Sequence, residues 1–128
     1  MSKKKGNRTE RELFHMFHKN KWQPIRTAGS GSTQIDAVDL IAGKDKRILA
    51  IECKASKATT KYLEANDLDQ LNVVANKMGI EPWLAVKFDY KPWMFIKPED
   101  IKRTKTNKFN ISLKSIKEKT LTFEQLIR

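Results

Sequence analysis

The chain of 128 residues contains one cysteine, two histidines, four prolines and five glycines. A lone Cys53 excludes an intramolecular disulfide and any zinc site built from several cysteines. Close to Leu49 and Ile51, it reads as a buried strand residue. No apolar run approaches the roughly 20 residues of a membrane-spanning helix, so no membrane partner is expected. The basic start Met1-Ser2-Lys3-Lys4-Lys5 leads into Gly6-Asn7-Arg8 and not into the apolar centre of a signal peptide, so the expected location is intracellular and cytoplasmic. Internal repeats and low-complexity linkers are also missing, and the length suits one domain over 1–128. Acidic residues are the minority: 15 Asp and Glu face 26 Lys and Arg, for a net charge of +11. Such a surplus sets up a field that draws polyanions, nucleic acid being the commonest. The plainer account is a generally basic, solvated surface.

What is present is a globular pattern, 39% hydrophobic and 32% charged. Residues 1–8 read as a flexible basic arm. Two overlapping capping patterns, Asn7-x-x-Glu10 and Thr9-x-x-Glu12, open a helix that runs to Lys19. Leu13, Phe14 and Phe17 form its apolar stripe, and Glu10 falls on the same stripe by the i, i+3, i+4, i+7 rule. Trp22 to Thr27 reads as a strand that Pro24 places near an edge or an end. A Gly/Ser loop follows over 28–32. Val38 to Ala42 and Arg47 to Ala55 are strands joined by the turn Gly43-Lys44-Asp45-Lys46. Residues 56–66 read as a polar, mobile loop. A second helix spans Asp67 to Lys77 and stops at Gly79. Trp83 to Phe88 and Trp93 to Ile96 are strands paired across 89–92. Pro98 to Ile101 starts a short turn or helix, 102–119 is basic and irregular, and Thr122 caps a short final helix. The whole is an α/β domain with a mixed sheet flanked by helices.

Twelve residues separate Asp39 from Glu52-Cys53-Lys54. A hairpin gives that spacing meaning. With the turn centred near Lys44 and Asp45, Asp39 lies opposite Ala50, and Ile48, Ala50, Glu52 and Lys54 share its face. Glu52 is then the diagonal neighbour of Asp39, roughly 7–8 Å away between backbones, close enough for both carboxylates to reach one divalent cation. A slip of two residues preserves this facing and a slip of one destroys it. Three ionised groups beside an apolar strand are costly without compensation. A hard cation such as Mg²⁺ takes oxygen ligands, and the Cys53 backbone carbonyl is a candidate third donor. Metal-bound water is a better nucleophile, and Lys54 can orient it or stabilise charge on a phosphate. The competing account is a structural ion pair at a strand end.

Val38-Asp39-Leu40-Ile41-Ala42-Gly43 followed by Leu49-Ala50-Ile51-Glu52-Cys53-Lys54 resembles the core of the PD-(D/E)xK nucleases, a restriction-endonuclease-like fold. More closely, the chain resembles the archaeal Holliday junction resolvases of the Hjc group. Gly6-Asn7-Arg8-Thr9-Glu10-Arg11-Glu12-Leu13 is similar to that group's opening helix, and Ile25-Arg26-Thr27-Ala28-Gly29-Ser30-Gly31-Ser32 to its serine loop. Leu84-Ala85-Val86-Lys87-Phe88 and Trp93-Met94-Phe95-Ile96 are similar to its later strands, so that the likeness extends to Ile101. Val38 stands where the motif's name places proline. The resemblance implies a Mg²⁺-dependent endodeoxyribonuclease acting on four-way DNA junctions, with Mn²⁺ able to substitute. It implies Glu10, Asp39 and Glu52 as metal-linked acids and Lys54 as the catalytic lysine. Ser30, or Ser32 by a shift of register, would sit near the scissile phosphate, and Arg11 and Arg26 would contact phosphate.

Other residues carry weaker signals. Tyr62, with Lys57 and Lys61 in a polar segment, is a candidate DNA contact. His15 and His18 lack a third ligand and read as surface or packing residues. Trp22, Trp83 and Trp93 are core or subunit contacts before they are base-stacking residues. The basic segment 102–128 is either a solvated tail or an additional phosphate contact. Symmetric cutting of a junction needs two matched sites, which a homodimer supplies; the strands at 83–88 and 93–96 and the second helix are candidate dimer surfaces. Two alternatives stand beside the resolvase: a repair or restriction-type nuclease of the same fold, and a basic DNA-binding protein without catalysis.

Overall fold

A computed structural model describes residues 3–27, 36–102 and 108–128 of the chain. Among the described residues, four α-helices, α1 (Lys3–Lys19), α2 (Ala65–Met78), α3 (Leu113–Ile116) and α4 (Phe123–Leu126), and a short 3-10 helix at Pro98–Asp100 accompany seven strands: β1 (Gln23–Arg26), β2 (Leu40–Lys44), β3 (Arg47–Ser56), β4 (Thr60–Glu64), β5 (Glu81–Phe88), β6 (Met94–Ile96) and β7 (Lys108–Ser112). Five strands form one sheet in the order β1-β2-β3-β5-β6, and β4 pairs with β7 in a second, two-stranded sheet. Within the larger sheet β3 and β5 run parallel, while the β1–β2, β2–β3 and β5–β6 pairs are antiparallel. The fold is thus α/β with a mixed sheet, as the sequence predicts. Pro24 lies on edge strand β1, where a missing N–H is tolerated.

The centre of the sheet is buried on both sides, which explains its continuous apolar runs. Leu49 and Ile51 face α1, packing with Leu13, Phe17, Leu40 and Ala42. Ala50 faces the other way, against Leu71 and Ala75 of α2 and Val38. In β5 the same division holds: Trp83 and Ala85 join the α1 layer, and Leu84, Val86 and Phe88 join Leu63, Phe109 and Ile111 of the small sheet. These apolar residues of β5, with Phe95 and Ile96 of β6, are therefore taken up by the chain's own core. The three tryptophans are buried as well.

Three expectations need correction. The helix α1 begins at Lys3, so residues 3–8 are its first turns and not a flexible arm; lysines favour helix, and the capping patterns at Asn7 and Thr9 do not stop it. Residues 60–64 are strand β4, not a mobile loop, and the basic segment contains strand β7 and helix α3. Leu63 is cross-strand to Phe109, and both side chains cover β5. The few apolar residues of these strands are outnumbered by polar ones, so local composition hides a pairing that tertiary burial enforces. Finally, the β2–β3 turn is the two-residue Asp45-Lys46, with Asp45 at φ 55° and Lys44 paired to Arg47. The turn centre is one residue later than expected, which shifts the register by two.

Because Ile111 is fully buried beneath the small sheet, Ile111→Ala should destabilise the protein by about 2–4 kcal/mol. Urea unfolding measures this; a loss below about 1 kcal/mol would show that β7 does not pack on the core.

Candidate active site

Asp39 sits at the bend that leads into β2. Its backbone carbonyl accepts from Thr27 N–H at 3.1 Å, and the Thr27 hydroxyl donates to the neighbouring Val38 carbonyl. Its carboxylate Oδ2 accepts the Cys53 N–H at 2.9 Å. The observed register pairs Leu40 with Ile51, and one step further brings Asp39 level with Glu52. Continued past the last recorded pair, this register sets the two acids opposite one another on the same face, and their carboxyl groups interact directly. Facing is preserved because the shift is two residues.

The electrostatics follow from this proximity. The Glu52 side chain is 16% exposed. Burial first, then the Asp39 charge, push its pKa from 4.5 to about 9, against the pull of Lys54. A hydrogen bond shared with Asp39 and the charge of Asp67 add to the upward push. Lys54 Nζ lies 3.9 Å from Glu52 Oε2 and 3.4 Å from Asp67 Oδ2 at the start of α2. Asp67 is the site residue that the sequence reading missed: it entered only as a helix start. Its sole signal was the Glu64–Asp67 spacing of a capping box, realised here as a 3.2 Å bond from the Glu64 N–H.

Glu10 arrives from α1, on the opposite face of the sheet from α2. Its Oε2 is held by Arg26 Nη2 at 3.2 Å. Burial and the Asp39 carboxylate raise its pKa, while Arg26 and Lys54 lower it. Arg26, expected at phosphate, is thus bonded to Glu10. The half-buried Cys53 has its thiol pushed well up by desolvation first and then by Asp39, Glu10 and Glu52, so it is unsuited to nucleophilic work.

Among the described residues, no three His, Cys, Asp or Glu side chains are grouped so as to hold a metal ion. The donor set on offer is the Asp39–Glu52 pair. Its chemistry still suits a hard divalent cation, which binds through one or two carboxylates and keeps several waters. The raised Glu52 pKa is the telling feature: burial and the Asp39 charge oppose ionisation of the Glu52 carboxyl, and a cation at the same place would favour it. Arg11 is exposed on α1, Lys57 lies just past β3, and Lys61 and the 64%-exposed Tyr62 lie on β4. His15 and His18 are exposed on α1. Ser30 and Ser32 lie outside the described residues.

The Glu52 shift has a consequence for stability. Below about pH 4.5 the carboxyl is protonated whether the chain is folded or not. Above that, the unfolded chain releases the proton while the folded one keeps it up to about pH 9, so metal-free stability falls across this window. Glu52→Gln should therefore raise Tm in chelator at pH 8 by roughly 3–6 °C, or about 1 kcal/mol. The gain should vanish near pH 4.5, and an equal gain at both pH values would refute the assignment.

Several known proteins resemble this chain in sequence and in fold. The family model described as archaeal Holliday junction resolvase (Hjc) matches residues 1–128. A crossover junction endodeoxyribonuclease Hjc of Archaeoglobus fulgidus is 37% identical over 105 residues, covering 82% of this chain and 77% of the relative. That of Methanocaldococcus jannaschii is 38% identical over 95 residues, 74% of this chain and 67% of the relative. The Hje enzyme of Saccharolobus islandicus is 31% identical and covers 95% of this chain and 99% of the relative. The solved structure of A. fulgidus Hjc, a Holliday junction resolvase, superposes with a TM-score of 0.88 at 30% identity, covering 96% of this chain and all of that one. The family match over residues 1–128 and the mixed sheet shared with a solved relative make this chain a member of the archaeal Holliday junction resolvase family.

Proposed function

We propose that the chain is a single nuclease domain, 1–128, which cuts four-way DNA junctions by paired, metal-dependent phosphodiester hydrolysis. The observation that supports this best is the direct confrontation of Asp39 and Glu52, with Lys54 two residues on, in a chain that matches junction endonucleases throughout. Mg²⁺ is the cation we assign, with Mn²⁺ as a substitute, held by Asp39 and Glu52 and by the Cys53 backbone carbonyl, with Glu10 as the further acid. When bound, such a cation supplies Lewis-acid stabilisation and a more acidic water.

The remaining work falls to the chain's own groups. The Cys53 N–H fixes the rotamer of Asp39. The Lys54 ammonium stabilises charge developing on the phosphate, where a cation in a partly desolvated site is most effective. Glu10 and Arg26 orient one another beside Asp39, and on DNA binding Arg26 turns part of its fork to phosphate. Arg11, Lys57 and Lys61 neutralise phosphates, Tyr62 stacks or packs against the sugar–base edge, and Ser30 and Ser32 approach the scissile phosphate. The net charge of +11 supports strong, salt-dependent attraction to DNA inside the cell. A homodimer with two matched sites suits a substrate of two-fold symmetry. No helix among the described residues is long and apolar enough to cross a membrane.

The test is a cleavage assay with Mg²⁺ on a synthetic four-way junction beside linear, flapped and nicked duplexes. Wild-type protein should cut the junction selectively. Asp39→Asn and Glu52→Gln should each lower the rate by at least about 100-fold, with junction affinity within a few fold of wild type. Equal cutting of linear duplex refutes junction selectivity, and full activity in both variants refutes the site. Light scattering should give a dimer mass.

A further inference from the structure

Lys54 has two carboxylates within ion-pair range, and the nearer one does not belong to the acid pair. Nζ is 3.4 Å from Asp67 Oδ2 and 3.9 Å from Glu52 Oε2. All three side chains are mostly covered, at 22%, 29% and 16% exposed for Lys54, Asp67 and Glu52. Asp67 itself is not free to wander. It is the third residue of α2, and the same Oδ2 that meets Lys54 accepts the Glu64 N–H at 3.2 Å. The capping interaction thus fixes an anion beside the lysine.

We infer that Asp67 is a positioning residue, which holds the Lys54 ammonium off Glu52 and so leaves the Glu52 carboxylate open to a cation. This rests on the proposed roles of Glu52 and Lys54 at the metal site. The physical argument is competition. An ammonium and a divalent cation both seek the same carboxylate oxygens, and a lysine two residues along the same strand is always within reach of Glu52. With no second anion, Lys54 settles on Glu52 and opposes metal entry. With Asp67 present, Lys54 keeps a partner whether or not a cation is bound, and its flexible stem is confined to one place. A purely structural capping role for Asp67 would have no such link to Glu52.

The discriminating experiment is a double-mutant cycle in metal affinity, with Mn²⁺ titrated into chelator-treated protein and binding followed by calorimetry. Asp67→Asn removes the charge but keeps an oxygen to accept the Glu64 N–H; should it fold poorly, Asp67→Ser serves in the same cycle. Asp67→Asn should weaken Mn²⁺ binding by about three- to tenfold, the scale of one partly covered ion pair. In a Lys54→Ala background the same substitution should cost less than about twofold, because no ammonium is left to compete. Junction cleavage by Asp67→Asn should show a matching rise in the Mn²⁺ concentration for half-maximal rate, with rate at saturating metal reduced less. An equal loss with and without Lys54 would mean a general charge effect, and no loss would mean capping alone; either overturns the inference while the nuclease reading stands. Wild-type cleavage by Lys54→Ala, or no Mn²⁺ binding to the parent chain, would instead overturn the site reading and this inference with it.

Discussion

Two carboxylates brought together, one on the bend before β2 and one within β3, set the terms for their surroundings. Asp39 and Glu52 repel, and burial makes that repulsion expensive. Each neighbour relieves it in part: the Cys53 N–H takes one oxygen of Asp39, Lys54 approaches Glu52, and Arg26 neutralises Glu10 beyond them. None of these removes the conflict, since Glu52 is still pushed up to about 9. The scaffold therefore stores an unmet demand for positive charge at one place. Stability given up there is recovered in the apolar layers on either side of the sheet, where Leu49 and Ile51 pack towards α1 and Ala50 towards α2.

The two faces of the sheet contribute differently to the site. Helix α1 brings Glu10 and carries the exposed Arg11 from one side. Helix α2 brings Asp67 from the other, through its first turn. Strand β3 between them supplies Glu52 and Lys54, and the bend before β2 supplies Asp39, tied to β3 through the Cys53 N–H. An acid from each layer meets the central pair across the sheet's end, so the packing of both helices is felt at the site.

Much of this was legible in the chain itself. The apolar stripe of α1, the hairpin, the αL stop at Gly79 and the short capped helix at Thr122 all follow from local chemistry, and the structure contains them. The acid pair was legible because side chains alternate along strands, and the register differs from the expected one by an even number of residues. The strands β4 and β7 were not, because their burial depends on a partner about fifty residues away. Asp67 was hidden for a similar reason: its role depends on where α2 docks, and no local pattern carries that. The pairing of Arg26 with Glu10 also arises only once β1 and α1 are neighbours.

The turn Asp45-Lys46 lies at the far end of the hairpin from the acids. Yet it measures out the chain between them, as a knot fixes the lengths of two ropes. Were the register set there to slip by one residue, the parity of one arm would invert and a carboxylate would rotate to the opposite face with no change to any residue near it. With a slip of two the facing would survive with a displaced rung. This remote turn, which touches neither acid, is thereby a component of the geometry that brings them together.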